Sequence, residues 1–202
     1  MPLTKDARDG MDALDGDERE TLHALLQSRA VALPTETVWG LAARWDDPAA
    51  VETLYERKGR EPGKPVQLLC SSAEAALAFV APDDQPVARA LSRFWPGPLT
   101  LVVRATGLPE WMAPGGSVGL RVPRCATTQR VLAALPGGAA AATSLNRSGE
   151  TPAATFEEAA ATSGGLADRV HPGPPAEGLA STVFIAAEKR VAREGAVRLP
   201  EI

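Results

Sequence analysis

Three cations leave the end of one predicted helix within seven residues, and together they could bind an anion. Lys58 stands seven residues after Val51, so it lies on the apolar stripe that packs this helix against its neighbours. Gly59 ends the helix, and Arg60 and Lys64 follow in a loop rich in proline and glycine. Ammonium and guanidinium groups make strong hydrogen bonds to phosphate and carboxylate, so anion binding is the chemistry that this cluster indicates.

An ordinary alternative for these cations is ion pairing on the helix surface. Glu52 and Glu56 belong to the same helix and could form solvated ion pairs with Lys58 and Arg60. Exposed pairs are common and contribute little to stability. The local pattern leaves both interpretations open.

Polar residues also follow two predicted strands at the point where each strand ends. Val31–Leu33 is an apolar run that leads to Thr35, and the small residues 139–143 lead to Ser144 and Asn146. In an open α/β sheet, ligands bind at the carboxyl ends of the strands. The hydroxyl and amide groups at these positions are therefore candidate ligand contacts.

A further charge stands in the strand predicted for residues 118–122. Val118, Leu120 and Val122 face one side of the sheet, so Arg121 faces the other. A solvated charge and an anion ligand are equally compatible with this position.

The segment 59–65 resembles a phosphate-binding P-loop, but its context excludes that function. It is one residue too short, and Pro65 stands where serine or threonine would hold magnesium. It also follows a helix, whereas a P-loop follows a strand.

A second motif, G-x-S-x-G around Ser117, suggests a serine hydrolase with Asp168 and His171 downstream. That motif requires a strand before the serine and a helix after it. Here a proline- and glycine-rich turn precedes Ser117 and a strand follows, so the hydrolase is the weaker enzyme hypothesis.

The candidate residues need a sheet and helices to position them, and the order of elements predicts both. Asp17 and Glu20 form a capping-box-like start of a helix that leads into the first strand. Later strands are predicted at 99–103, 118–122, 181–185 and 191–197. The strand-then-helix order and the clustered later strands predict an α/β fold with a mixed parallel and antiparallel sheet flanked by helices. We expect a flexible N-terminus at residues 1–16 and one domain over residues 17–202.

Composition narrows the class of protein. The chain has 202 residues, 45% of them hydrophobic, which is enough for one globular core. A net charge of −4 argues against a polybasic nucleic-acid binder. Cys70 and Cys125 are too few for a disulfide framework or a cysteine-based zinc site. The first residues have no apolar run and no stretch reaches transmembrane length, so neither secretion nor membrane insertion is expected. We therefore expect a cytoplasmic protein with no membrane partner and no metal site made by its own side chains.

Seven short motifs, in one order along the chain, resemble a known family. They are PTETVWGL at 34–41, KGR at 58–60, WPGPLT at 95–100, VGLRVP at 118–123, SLNRSG at 144–149, STV at 181–183 and REGA at 193–196. Together they resemble the YrdC-like family of threonylcarbamoyl-AMP synthases, in its short single-domain form. Each motif is weak alone, but their joint occurrence is specific.

The resemblance implies a reaction, a fold and partners. Such enzymes join L-threonine, bicarbonate and ATP to give threonylcarbamoyl-AMP and pyrophosphate for the t6A modification of tRNA. The implied fold is a twisted, YrdC-like mixed sheet with a positively charged cavity, and Mg²⁺ would accompany ATP. A downstream tRNA threonylcarbamoyl transferase complex would use the product, and direct tRNA binding would be weak or indirect.

The resemblance also implies roles for individual residues. The K-x-R and S-x-N signatures fall on Lys58, Arg60, Ser144 and Asn146, which would act in catalysis. ATP and its Mg²⁺ would contact Lys58, Arg60, Lys64, Ser144, Asn146, Ser181 and Arg193. L-Threonine would contact Thr35, Arg121, Thr143 and Ser181.

Three residues depart from the family pattern: Trp39 and Leu145 are expected to reshape the pocket, and Leu69 to remove a contact with threonine. Trp39 replaces a smaller aromatic, Leu145 replaces an alanine, and Leu69 stands where some members carry histidine.

A function of a different class is also compatible with the same fold. A non-catalytic RNA-binding module would use the basic cavity for a phosphate backbone. However, four tryptophans, one tyrosine and four phenylalanines offer few surfaces for stacking bases. The RNA-binding module therefore ranks below the enzyme.

Overall fold

The structure is a computed structural model that describes residues 13–59 and 65–200. The helices are α1 (Gly16–Leu26), α2 (Pro48–Lys58), α3 (Ala73–Leu77), α4 (Gln85–Leu91), α5 (Ala126–Ala133) and α6 (Phe156–Thr162). The strands are β1 (Val31–Leu33), β2 (Gly40–Ala43), β3 (Gln67–Cys70), β4 (Leu99–Arg104), β5 (Ser117–Arg121), β6 (Ala139–Ser144), β7 (Arg169–Val170), β8 (Thr182–Ile185) and β9 (Arg190–Arg193).

The described strands form one sheet in the order β7-β1-β2-β6-β3-β5-β4-β8-β9. The pairs β1/β7, β3/β5 and β4/β8 are parallel, and the other neighbours are antiparallel. This is the single α/β domain with a mixed sheet that the sequence predicts. None of the helices in the described ranges is both long and apolar enough to cross a bilayer.

One face of the sheet is buried against helices everywhere except at its edge strands. Alternate side chains such as Leu68, Leu101 and Leu120 enter a core with Val51 and Leu54 of α2. The helices α3, α4 and α6 add apolar side chains to the same core. Asp47 caps the start of α2 by accepting a hydrogen bond from the backbone N–H of Ala49. The packed stripe of α2 fixes the helix against the sheet and thereby the position of its last residue.

The opposite face is covered over only part of its width. Side chains of α1 and α5 pack on β1, β2, β6 and the end of β3. The contacting residues include Leu22, Leu25, Val131 and Leu132 from the helices and Val31, Leu33, Leu69 and Ala140 from the strands. The cavity described below lies on this same face, over β3, β5, β4 and β8, and reaches the end of β6 beside the helices α1 and α5.

Strand β2 was not predicted, because a turn was expected between β1 and α2. Its residues Gly40 and Ala42 have low intrinsic preference for strands. The strand forms because β1 and β6 flank it and pair with it on both edges. All four of its residues are buried. Tertiary pairing therefore outweighs the local preference here.

The predicted start of the first helix is two residues late. Asp15 accepts a hydrogen bond from the Glu18 N–H at 2.8 Å, and Glu18 accepts one from the Asp15 N–H at 3.0 Å. This capping box begins α1 at Gly16, so Asp17 and Glu20 do not cap it. The predicted flexible N-terminus lies mostly outside the described residues.

The last strand is shorter than predicted, since β9 ends at Arg193. Val197 bonds to the Thr182 side chain: its N–H donates to Oγ1, and its carbonyl accepts from the same hydroxyl. Gly195 lies so close to residues 180–182 that a Cβ atom there would be 2.4 Å from the Ala180 carbonyl oxygen. The segment 195–197 is therefore held beside β8 without continuing the strand.

Candidate active site

A cavity of about 460 Å³ opens on the part of the sheet face beyond α1 and α5. Its lining comes from both ends of the sequence, because β3, β5, β4 and β8 lie next to one another in the sheet. Arg121 of β5 lines it, whereas Leu120 and Val122 on either side enter the core, as the alternation predicts. A concave site that combines an apolar lining with a few convergent polar groups is the usual form of a small-molecule binding site.

Lys58 reaches from the end of α2 to the polar end of β6. Its Nζ donates to the Ser144 carbonyl at 2.6 Å, the Ser144 Oγ at 2.8 Å and the Asn146 Oδ1 at 3.0 Å. Only 5% of Lys58 is exposed, so it is not part of a solvated surface pair. Gly59 adopts a left-handed conformation with φ of 61° and ends the helix directly after it. The structure thus joins the lysine and both polar residues of the S-x-N motif.

Asn146 is anchored by both ends of its amide. Its Nδ2 donates to the Arg147 and Glu150 carbonyls at 2.7 and 2.8 Å. Its Oδ1 accepts from Lys58 and from the Ser144 hydroxyl, the latter at 2.6 Å. Ser144 lines the cavity. Asn146 therefore holds the turn after β6 in place. Lys58 and Asn146 are not lining residues, so Ser144 is the member of this group that reaches the cavity.

Arg121 is a buried cation with unused hydrogen-bonding capacity. It is 3% exposed, and its Nη2 lies 2.9 Å from Glu36 Oε1. The contact is ionic but lacks the alignment of a hydrogen bond, so Nε and Nη2 have no hydrogen-bond partner among the described residues. Burial lowers the pKa of the Arg121 guanidinium, Glu36 opposes that shift, and the charge of Arg193 adds to it. An anion in the cavity would satisfy these donors.

Arg193 and Ser181 meet at the other side of the cavity. The guanidinium donates to the Ser181 carbonyl through Nε at 3.2 Å and through Nη2 at 2.8 Å. Nη2 also lies 3.2 Å from the Ser181 Oγ. Both residues line the cavity, so two arginines flank it.

Thr35 and Thr143 also line the cavity. The Thr35 hydroxyl donates to the Val38 carbonyl at 2.5 Å and accepts from the Thr37 N–H at 3.2 Å. Because its one proton is used inside the turn, Thr35 can offer a ligand only an acceptor. Thr143 is a buried residue of β6.

The remaining predicted site residues, Arg60 and Lys64, lie outside the described residues. Of the three departures from the family pattern, Trp39 and Leu69 line the cavity, as expected. Leu145 is not a lining residue and belongs to the core instead.

Sequence reasoning missed Gln67, Thr100 and Gly119, and it did not foresee the pairing of Glu36, at the end of the first strand, with Arg121. Glu36 is the ionic partner of Arg121, and the other three line the cavity. The available signal was polar or glycine residues at alternate positions of otherwise apolar strands, the pattern that did reveal Arg121.

The hydrolase hypothesis fails on geometry. Ser117 begins β5, whereas Asp168 and His171 flank β7, which is five places away in the sheet order. At ~4.8 Å per strand this separation is roughly 24 Å. Asp168 pairs with Arg57, and His171 bonds to Thr21. The three residues cannot form a triad.

The sequence is similar to one family model and to curated proteins that carry a common name. A family model described as Sua5_yciO_yrdC, Telomere recombination, matches residues 23–195. A protein of Alkalilimnicola ehrlichii named threonylcarbamoyl-AMP synthase is 39% identical over 67% of this chain and 70% of its own length. A protein of the same name from Halorhodospira halophila is 34% identical over 77% of this chain and 82% of its own length.

Solved structures agree on the fold. Sua5 of P. abyssi, in a crystal structure complexed with L-threonine, has a TM-score of 0.80 and 28% identity. The match covers 88% of this chain and 54% of that one, so this chain spans little more than half the length of that Sua5. E. coli YciO, at 21% identity, has a TM-score of 0.77 over 96% of this chain and 92% of its own.

Proposed function

The chain belongs to the Sua5/YciO/YrdC family, and we propose that it is a threonylcarbamoyl-AMP synthase. In the proposed reaction the amino group of L-threonine takes up bicarbonate as a carbamate, with loss of water. A carbamate oxygen then bonds to the α-phosphorus of ATP, and the bond to the leaving pyrophosphate breaks. The products are threonylcarbamoyl-AMP and pyrophosphate.

The observation that carries the proposal is the Lys58 ammonium bonded to Ser144 and Asn146 beside a cavity that holds two arginines. ATP, carbamate and the threonine carboxylate bring several negative charges together. Fixed cations lower the repulsion between the carbamate and the α-phosphate as the new bond forms. The carbamate is itself the nucleophile, so the reaction needs positioning and charge stabilisation more than an activated side chain.

We assign the two substrates to different parts of the cavity. Arg121, with its unused Nε and Nη2, would bind the threonine carboxylate, and Thr35, Thr143 and Ser181 would contact the rest of the amino acid. Lys58, Ser144, Asn146, Ser181 and Arg193 would face ATP. Arg60 and Lys64, which follow α2, are proposed to join them.

Mg²⁺ is proposed to enter with ATP. In the described residues no group of three or more His, Cys, Asp or Glu side chains could hold a metal ion. Magnesium in such sites is usually bound through substrate phosphates and water, with few protein ligands. The Ser144 hydroxyl and the Asn146 amide oxygen, both within hydrogen-bond distance of Lys58, are neutral oxygens that could add to the ligands of the ion. When bound, the ion would neutralise part of the phosphate charge.

The wider role follows from the same proposal. The domain over residues 17–202 would release its adenylate in the cytoplasm to a downstream tRNA threonylcarbamoyl transferase complex. Direct tRNA binding by this chain would be weak and sensitive to salt, because its net charge is −4.

A pyrophosphate assay tests the activity. Purified protein with ATP and Mg²⁺ should release pyrophosphate only when L-threonine and bicarbonate are both supplied. Release that ignores threonine would contradict the proposal. Tight tRNA binding at physiological salt without pyrophosphate release would favour the RNA-binding module instead.

A further inference from the structure

A chain of hydrogen bonds crosses the cavity from its rim to β3. Arg193 Nη2 lies 3.2 Å from Ser181 Oγ, and Ser181 Oγ lies 2.8 Å from Thr100 Oγ1. Thr100 Oγ1 in turn lies 3.2 Å from Gln67 Oε1. Ser181 and Thr100 are each 5% exposed, and all four residues line the cavity.

The available donors fix the direction of each of these hydrogen bonds. Arg193 can only donate, and each hydroxyl has a single proton. The Thr100 proton goes to the amide oxygen of Gln67, so Ser181 donates to Thr100 and accepts from Arg193. The amide of Gln67 is thereby oriented with its oxygen toward Thr100. Its Nε2 group makes no hydrogen bond to another described residue, which leaves two N–H donors on the cavity lining.

Gly119 permits this arrangement. It lies on β5, between Gln67 of β3 and the β4 strand that carries Thr100. A Cβ atom at position 119 would lie 3.3 Å from Thr100 Cγ2 and 3.5 Å from Gln67 Cβ. The missing side chain leaves the space through which the Gln67 amide reaches Thr100 across β5. Three strands therefore cooperate to aim one neutral donor.

We propose that Gln67 is a specificity-determining residue that donates from Nε2 to the hydroxyl oxygen of the threonine substrate. Thr100 is then its positioning residue. The inference rests on the proposed function and deepens it, because it assigns the side-chain recognition of the amino acid. Neither residue was assigned to the site from the sequence, although Thr100 ends the WPGPLT motif.

The choice of the hydroxyl follows from the other groups of threonine. Arg121 lies two residues beyond Gly119 on β5, about 7 Å further along the sheet. Its guanidinium is the stronger partner for the carboxylate, because both groups are charged. The amino group becomes the carbamate and must face ATP. The hydroxyl oxygen is the acceptor that remains for a neutral amide donor.

The test compares L-threonine with L-2-aminobutyrate, which is threonine without its hydroxyl. The discrimination ratio is kcat/KM for threonine divided by kcat/KM for aminobutyrate. The isosteric Gln67→Met variant should lower that ratio about tenfold, since one neutral hydrogen bond is lost. Gln27→Met, at an exposed glutamine after α1, is the matched control and should keep the wild-type ratio.

Two further substitutions separate recognition from packing. Gln67→Glu keeps an oxygen for Thr100 but has no N–H, so its ratio should fall as well. Thr100→Val should lower the ratio by a smaller factor, and Thr100→Ser should restore it because the hydroxyl returns. An unchanged ratio in both Gln67 variants would overturn the proposal. Equal ratios in Thr100→Val and Thr100→Ser would overturn the positioning role.

The same variants distinguish this inference from the proposed function. If wild-type protein releases no threonine-dependent pyrophosphate, the proposed activity is wrong. Calorimetric affinities for threonine and aminobutyrate then replace the kinetic ratio. Gln67→Met must still bring the affinities for threonine and aminobutyrate closer together. An unchanged difference between the two affinities, or no binding of threonine to the wild-type protein, overturns the inference.

Discussion

One face of the sheet contains two regions with opposite roles. Over β1, β2 and the beginning of β6 the face carries Val31, Leu33 and Ala140, and the helices α1 and α5 bury it. Over β5 and β4 the same face carries Arg121 and Thr100, and the cavity lies there. We call these the covered half and the open half.

The comparison shows that side-chain type decides which half becomes a site. Both halves share one backbone ladder and one buried opposite face. In the covered half apolar groups stabilise the fold by leaving water. In the open half a buried guanidinium retains donors without hydrogen-bond partners, which lowers the stability of the fold. Such donors are expected where a bound ligand would satisfy them. Substitutions in the two halves should therefore affect different measurements.

The largest effect is expected at Arg121. Arg121→Met leaves Glu36 buried without a cation, and breaking a buried pair in this way costs about 3–5 kcal/mol. Threonine turnover should also be lost. The double variant Arg121→Met with Glu36→Gln should recover much of the unfolding free energy but none of the turnover. Recovery of both would show that Arg121 has only a structural role.

The covered half should show the reverse pattern. Leu25→Ala removes a fully buried side chain of α1 and should cost about 2–5 kcal/mol of unfolding free energy. The kcat/KM of the protein that remains folded should stay near the wild-type value. Val102→Ala, at a half-buried residue of the open half, is the matched control and should cost less stability. Denaturant unfolding and steady-state kinetics check both variants.

Lys58→Met tests the contact between α2 and β6. Loss of one charge-stabilising contact should lower kcat about a hundredfold. Some stability should be lost too, because the Ser144 and Asn146 acceptors lose their donor, at a cost of about 1–3 kcal/mol. Lys189→Met, at an exposed turn, should change neither quantity. Normal turnover in Lys58→Met would remove the lysine from the proposed catalytic group.

The smallest expected effect is the contribution of His171, beside the covered half, to the pH dependence of the unfolding free energy. This residue is 1% exposed, and its Nδ1 lies 2.9 Å from Thr21 Oγ1. Burial lowers the pKa of His171 below its usual value, with Arg169 in the same direction and Glu18, Asp15 and Asp17 opposed. Below about pH 6.5, His171 is protonated in the unfolded chain but stays neutral in the folded one. Because the unfolded state then binds more protons, the unfolding free energy should fall as the pH drops below about 6.5. His171→Gln should flatten this decline, measured by urea unfolding from pH 7 to pH 5.

The sequence predicted the parts of this arrangement that depend on local pattern. The stripe of α2, its end at Gly59 and the side of the sheet that Arg121 occupies all follow from spacing. The contact of Lys58 with Ser144, 86 residues later, could only be suggested by family resemblance.

What could not be predicted depends on the order of strands in the sheet. Thr100 meets Ser181 across 81 residues because β4 lies beside β8, and no local pattern encodes that pairing. The partnership of Arg121 with Glu36 is hidden for the same reason. Strand β2 was not predicted because its residues have a weak intrinsic preference for strands, which pairing on both of its edges outweighs.

The most direct test of the account follows the carbon of bicarbonate into the product. Protein, ATP, Mg²⁺ and L-threonine are mixed with ¹³C-bicarbonate, and the ¹³C NMR spectrum is recorded. We predict a carbamoyl carbon signal that is split by the phosphorus of AMP, absent without threonine and strongly reduced in Lys58→Met. Conversion of ATP to AMP with no label joined to phosphorus, or the same labelled signal without threonine, would contradict the assignment of the open half as the site of threonylcarbamoyl-AMP synthesis.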